Sequence, residues 1–489
     1  MDFYTFLMKK LHLKFLSLQM NYNMQTTSFQ LIILIGIFGI FSNGFAQNDL
    51  QNQYGTGCNY DSIRYEEVPL TAPLMRGGGL PSSASLKRYA PPPKNQGVHG
   101  TCTAWASAYA ARTILLAQRQ DIDKSAAELA FSPSYVYNQI RLTEDCSYGV
   151  YITDALDLLK KKGCVPFRDF GYECTRKVTS TDIKKAKAYT IQDYKRLFMR
   201  TGNTTQNTVI QPIKKAIAEG KPVIISMRCF ASFEEAEDVW NPAHGYDESK
   251  GYHAMTVIGY DDTKYGGAVY LMNSWGKNWG RNGFTWVRYS DFATNCMEAY
   301  EAVDFRVNPN APNVSFFGEV SFKKSDEETM EAHLEGEVYR MNETYYTGTA
   351  FQFFISHKEP IYMYAIGTDL TGACAQLFPF SNGMSPLLSY SEGTVAFPSE
   401  EHFVQLDDTK GSDFICVLYS EKALDIKTIT KKMESIKGDI KTRLHEAIGK
   451  ENISPYIKYK TDKIGFRAAR SVKAGTGFIV PLIVEIPHD

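Results

Sequence analysis

Apolar positions change their spacing partway along this chain. From Ala104 to Gly220 they recur at helical intervals, and from Val223 to Val287 they form alternating or continuous β-branched runs. Residues 104–112 read as an alanine-rich helix. A second helix is capped by Ser132 with Pro133 in its first turn, and carries Tyr135, Val136 and Ile140. A third spans Thr153 to Lys162, with Ala155, Leu156, Leu158 and Leu159 on one face and Gly163 as its stop. A fourth runs from Gln211 to Glu219 and is closed by Gly220. Strands are predicted at Val223-Ile224-Ile225, at Ala268 to Met272 and at Phe284-Thr285-Trp286-Val287. A helical half followed by a β half predicts two lobes with a cleft between them.

The ends of the chain follow other patterns. Residues 1–46 combine Lys9, Lys10 and Lys14 with an apolar run from Leu31 to Phe41 and small residues at Gly44 and Ala46. That order predicts a signal peptide cut after Ala46, and so a secreted, periplasmic or cell-surface protein. The run is shorter than the ~20 residues a membrane span needs. Residues 47–79 show little periodicity and end in Gly77-Gly78-Gly79, so they read as a linker or short N-terminal segment. Turn residues at Asn308-Pro309-Asn310-Ala311-Pro312-Asn313 place a boundary between a domain at 80–308 and another at 309–489. In the latter, Phe351 to Ile355, Ile361 to Ile366 and Phe414 to Tyr419 read as strands of a β-sandwich-like domain. Ile426, Ile429, Met433, Ile436, Ile440, Leu444 and Ile448 predict one helix near its end. His333, His357, His402 and His445 are scattered and are read as surface residues. Tyr362 and Tyr364 are read as packing residues. The domain resembles, weakly, β-rich domains fused to bacterial peptidases, and its partner, whether protein or surface, is unknown.

Charge and cysteine content narrow the class. A formal net charge of −1 over 489 residues argues against a nucleic-acid partner. Nine cysteines is an odd number for an exported chain. Cys146, Cys164 and Cys174 are close enough in sequence for local bridges in an oxidising compartment, and the pairing is open. The absence of any Cys-x-x-Cys pair argues against a structural metal, and nothing in the pattern calls for a cofactor.

The odd cysteine has a chemical reading. Cys102 stands where the helix at 104–112 begins, and unpaired N–H groups and the helix dipole favour thiolate there. Gln96 lies six residues upstream with an amide able to face an oxyanion, and Gly97 and Gly100 let the backbone draw the two together. His253 heads a β-branched run and Asn273 ends another, which supplies a base and an orienting amide. The three blocks Gln96-Gly97-Val98-His99-Gly100-Thr101-Cys102, His253-Ala254 and Asn273-Ser274-Trp275-Gly276, followed by Trp279-Gly280, together resemble the papain-like cysteine peptidases. Thr103 and His99 stand where that family usually carries an aromatic and a cysteine.

The resemblance implies an α+β fold: a papain-like two-lobe catalytic domain, helical lobe against β lobe, ahead of the β-rich domain. It implies hydrolysis of peptide or protein substrates through a thioester on Cys102, with His253, Asn273 and Gln96 completing the catalytic set. It also implies that Trp275, Tyr148 and Gly149 border the substrate. Residues 47–79 look too short to be the family's helical pro-segment. The alternatives are a binding protein on the same scaffold and a cysteine aminopeptidase or transferase.

Overall fold

The computed structural model describes residues 54–72, 79–122, 126–202, 204–242, 246–304, 315–381, 383–390, 393–399, 402–469 and 479–489, together with the backbone of Lys14–Leu16. Apart from that three-residue strand, which pairs with Phe403–Gln405, the expected leader lies outside the described residues. So does the boundary at 308/309.

The β lobe is one twisted sheet. Its strands run in the order Asp193–Arg196, Cys296–Val303, Val223–Phe230, Ser249–Asp261, Ala268–Met272, Phe284–Arg288 and Val239–Trp240, with Ser83–Ser85 added beside Ser249–Asp261. The pairings are antiparallel except the last, where Phe284–Arg288 and Val239–Trp240 run parallel. The central strands are buried on both faces, which explains their near-continuous apolar sequence.

The helical lobe covers one face. Its central helix starts at Cys102–Ala104, widens to π geometry over Trp105–Arg112 and returns to α at Thr113–Arg119. Thr256 Oγ1 donates to Ala106 O at 3.0 Å and ties this helix to the sheet. The helix was expected from its alanines; the π stretch carries no sequence signal that we can identify. Ser132 caps Pro133–Ile140 through Tyr135 N, and Ile152–Lys161 presents its apolar face inward. The helix expected from Gln211 begins earlier, at Gln206, because Thr205 and Thr208 form a capping box; Pro212 lies within it.

The C-terminal domain packs two sheets face to face. Phe322, Phe353 and Phe466 of one meet Val417, Leu482 and Val484 of the other. The expected single helix is two, Ile426–Ser435 and Ile440–Ile448, each capped by an aspartate, Asp425 and Asp439. Gly438 at φ +131° breaks the run between them. Tyr362 and Tyr364 are buried as expected, but His357, read as a surface residue, is only 3% exposed.

Residues 54–72 do not behave as a linker. Cys58–Asn59 pairs with Val150–Tyr151, and Ser62–Glu67 is a helix capped by Asp61. Tyr65 inserts edge-on against Phe198 and Tyr300.

Candidate active site

Cys102 is the first residue of the central helix, with Thr101 as its cap position. Its thiol is fully buried and accepts a hydrogen bond from the Ala254 N–H at 3.4 Å. That bond brings the head of the Ser249–Asp261 strand, and therefore His253, to the nucleophile. His253 is also fully buried, and its Nε2 bonds Asn273 Oδ1 at 2.7 Å. Asn273 ends the neighbouring strand and is fixed by accepting from Ser274 N at 2.7 Å. Trp275 stacks on the imidazole at 4.6 Å and walls off the His253–Asn273 bond. Among the described residues nothing hydrogen-bonds the other ring nitrogen, Nδ1. The ring thus has one nitrogen anchored and one free for a proton.

Gln96 is buried beside these groups. Ser274 Oγ donates to its Oε1 at 2.5 Å, which turns the amide nitrogen away from Ser274. That nitrogen donates to His99 O at 2.7 Å and to Gly55 O at 3.1 Å. His99, a rival base by position, therefore contributes its carbonyl, and its ring lies half-buried near Tyr172.

Gly55 belongs to the stretch that the sequence marked only as irregular. Residues 54–60 run through the cleft between the lobes. Gly55 O also accepts from Trp275 Nε1 at 2.9 Å, and Tyr54 stacks on the same indole at 4.8 Å. Gly55 N donates to Gly97 O at 3.0 Å, and Gly57 N to Tyr252 O at 3.3 Å. Asn59 Nδ2 donates to Gly149 O at 2.9 Å. The glycines are required: a Cβ on Gly55 would lie 2.4 Å from His99 O, and one on Gly57, at φ +141°, 2.6 Å from Gly100 Cα. Gly149 forms the facing wall, where a Cβ would come 2.0 Å from Gly57 O. Tyr148 stands at its exposed rim. The signal in the sequence was Tyr54-Gly55-Thr56-Gly57-Cys58, where alternate glycines mark close backbone approach.

Covering the cleft decides the charge state. Burial pushes the Cys102 thiol up to about 11, against the lowering effect of the Ala254 and Thr103 N–H groups. Burial pulls His253 down to about 4, outweighing the Asn273 bond. With the strap seated, the pair is therefore a neutral thiol and a neutral imidazole near pH 7. The helix terminus alone does not make the ion pair expected from the sequence, because dehydration of the charged forms is the larger effect here.

The remaining cysteines are mostly structural. Cys146 and Cys174 form a disulfide that pins the loop ahead of Tyr148. Cys58, Cys164, Cys229, Cys296, Cys374 and Cys416 are free and buried.

Residues 81–304 match the family model described as papain family cysteine protease. A peptidase C1-like protein of Acanthamoeba polyphaga mimivirus is 26% identical over 45% of this chain and 73% of its own length. Mouse cathepsin K is 27% identical over 42% of this chain, which spans 59% of that protein. Among solved structures, xylellain, a cysteine protease from Xylella fastidiosa, is 22% identical over 53% of this chain and 99% of its own, with a TM-score of 0.43.

Proposed function

Since residues 81–304 form a cysteine protease domain of the papain family, we propose that this protein hydrolyses peptide bonds in peptide or protein substrates through a thioester on Cys102. The observation that carries this reading is the paired geometry of His253, with Nε2 fixed by Asn273 at 2.7 Å and Nδ1 unpartnered among the described residues, next to a cysteine at a helix start.

In the reaction, His253 Nδ1 takes the thiol proton and the Cys102 sulfur attacks the scissile carbonyl carbon. The Cys102 backbone N–H and the Gln96 amide receive the negative oxygen. His253 then returns the proton to the leaving amine, and the C–N bond breaks. Water, deprotonated by His253, attacks the thioester and releases the acid. Asn273 keeps the imidazole aimed throughout, and Trp275 keeps water from that bond.

Residues 54–60 hold this machinery closed. Gly55 O sits on the Gln96 amide, so an oxyanion has no access to it. Strand Cys58–Asn59 takes the edge at Val150–Tyr151 that an extended peptide would use. Displacement of the strap is the step that opens the site, and by the N-terminal leader the protein is proposed to act outside the cytoplasm.

The test is cleavage of fluorogenic peptides by the full chain and by Cys102→Ser, with an epoxide-type inhibitor followed by mass spectrometry. Turnover lost in the variant and a label on Cys102 support the reading. Equal turnover by both proteins overturns it.

A further inference from the structure

A buried carboxylate lies next to the cleft, and the chemistry above does not use it. Glu298 is on strand Cys296–Val303. It pairs with Ser226 of Val223–Phe230, which pairs with Ala254 of Ser249–Asp261. Directly opposed residues of adjacent antiparallel strands point to the same face. The row Ala254, Ser226, Glu298 therefore leads across the sheet from the residue whose N–H holds the Cys102 sulfur. Cys58 of the strap sits over this row. Its thiol faces the hydroxyls of Ser226 and Thr103, within electrostatic reach of Cys102 and Glu298.

Glu298 is 3% exposed, and its Oε2 has no hydrogen-bond partner among the described residues. Ser226 Oγ is likewise buried and unpartnered. The nearby cation, Arg200, donates to the carbonyls of Ala293, Thr294 and Cys296 instead. A carboxylate buried without a countercharge is costly, and here burial pushes the Glu298 carboxyl up to about 8. A cysteine is too short to reach it. The strap thus fills the mouth of a pocket whose floor it leaves unsatisfied.

We propose that Glu298 is a specificity-determining residue: once the strap has left, the pocket under Cys58 takes a lysine or arginine side chain of the substrate, whose cation pairs with the Glu298 carboxylate. The proposal rests on the peptide-hydrolysis reading for its consequence, and on the row of side chains beside Cys102 for its geometry. A long aliphatic stem would lie along Ala254 and Ser226 and bring its charge to the floor.

The test uses the full chain with Gly55→Val and Gly57→Val, which prevents the strap from seating. Peptidyl coumarins carry arginine, or its neutral isostere citrulline, at each of the last three positions before the scissile bond. Peptidyl chloromethyl ketones with the same sequences report alkylation of Cys102 without hydrolysis. At one position arginine should exceed citrulline by at least about tenfold in kcat/KM and in alkylation rate, the range for a hydrogen bond to a charged group. Glu298→Gln should remove that ratio, mainly through KM, and leave the citrulline substrates unchanged. A selective ketone without any peptide cleavage would leave the pocket standing and sink the hydrolytic reading. Cleavage with arginine and citrulline equal at all three positions overturns the pocket and leaves hydrolysis standing. Equal alkylation by both ketones, including none, also overturns it. The arginine-to-citrulline ratio of the Glu298-bearing protein needs no further substitution, so a misfolded variant does not obscure the result.

Discussion

Two amides, Gln96 and Asn273, hold opposite ends of the site, and their removal should part company in measurable ways. Asn273→Ala frees Nε2 of a fully buried imidazole, so kcat should fall, and iodoacetamide should alkylate Cys102 more slowly near neutral pH in the opened protein. Gln96→Ala removes one oxyanion donor and should cost about 10²–10³ in kcat. In the full chain it also removes a hydrogen bond that seats the strap, so alkylation of Cys102 should become faster although turnover falls. If both variants slow alkylation alike, the two roles are not distinct. Cys102, His253, Asn273 and Gln96 were legible because each is a chemically distinctive side chain in a motif. Glu298 was not: one glutamate among many declares nothing until its neighbours across two strand pairings are known. Gly55 was hidden for another reason, since it acts through a backbone carbonyl that every residue possesses.

At the level of elements, the strap is held by backbone contacts that only glycine allows, which gives a clean way to unseat it. Gly55→Val and Gly57→Val place side chains against His99 O and Gly100 Cα. The strap should leave the cleft while the rest of the domain keeps its fold. Water then reaches both partners of the pair. The thiol, held up at about 11 by burial, should fall toward its ordinary value, and His253, held down at about 4, should rise. Alkylation depends on the thiolate. In the closed chain its rate should keep climbing with pH almost to 11. In the variant it should level off at lower pH and be faster at pH 7. A variant profile that coincides with the parent's would show that residues 54–60 do not shield Cys102. The helices and strands of the two lobes were legible because their apolar spacing reports a buried face. The strap has no such spacing: its pairing is with two residues, Val150 and Tyr151, and its order comes from the cleft that receives it. The doubled C-terminal helix was missed because the apolar period continues through Gly438 and only the cap at Asp439 divides it.

At the scale of the whole molecule, the strap's far end is clamped between the peptidase domain and the β-sandwich. Leu70 bridges to Arg196 on one side and to Met384 on the other, and its N–H donates to Gly383 O at 2.6 Å. The seam beside it is polar and closed. Lys195 pairs with Glu301 at 2.8 Å with both side chains fully buried, and Ser389 of the second domain donates to Glu301 at 2.9 Å. Lys195 also donates to Leu387 O at 3.0 Å, and Lys221 lies 3.7 Å over the Tyr390 ring. Burial would raise the Glu301 carboxyl, but the Lys195 and Lys221 ammonium groups outweigh it and hold it at about 2. The sequence expectation that residues beyond Ala311 are dispensable for chemistry concerned the catalytic groups, which all precede it. The seam adds a second question, whether those residues hold the strap. Glu301→Gln keeps the shape and removes the countercharge from two buried lysines. Removing one partner of a buried pair costs about 3–5 kcal/mol, so the urea midpoint of the full chain should fall clearly. Because the Leu70 contacts lie along the same seam, Cys102 alkylation at neutral pH should also rise below the unfolding transition. Lower stability with unchanged alkylation would mean that the seam supports the fold but does not clamp the strap. Unchanged urea stability would mean that the pair carries none of the docking between the two domains.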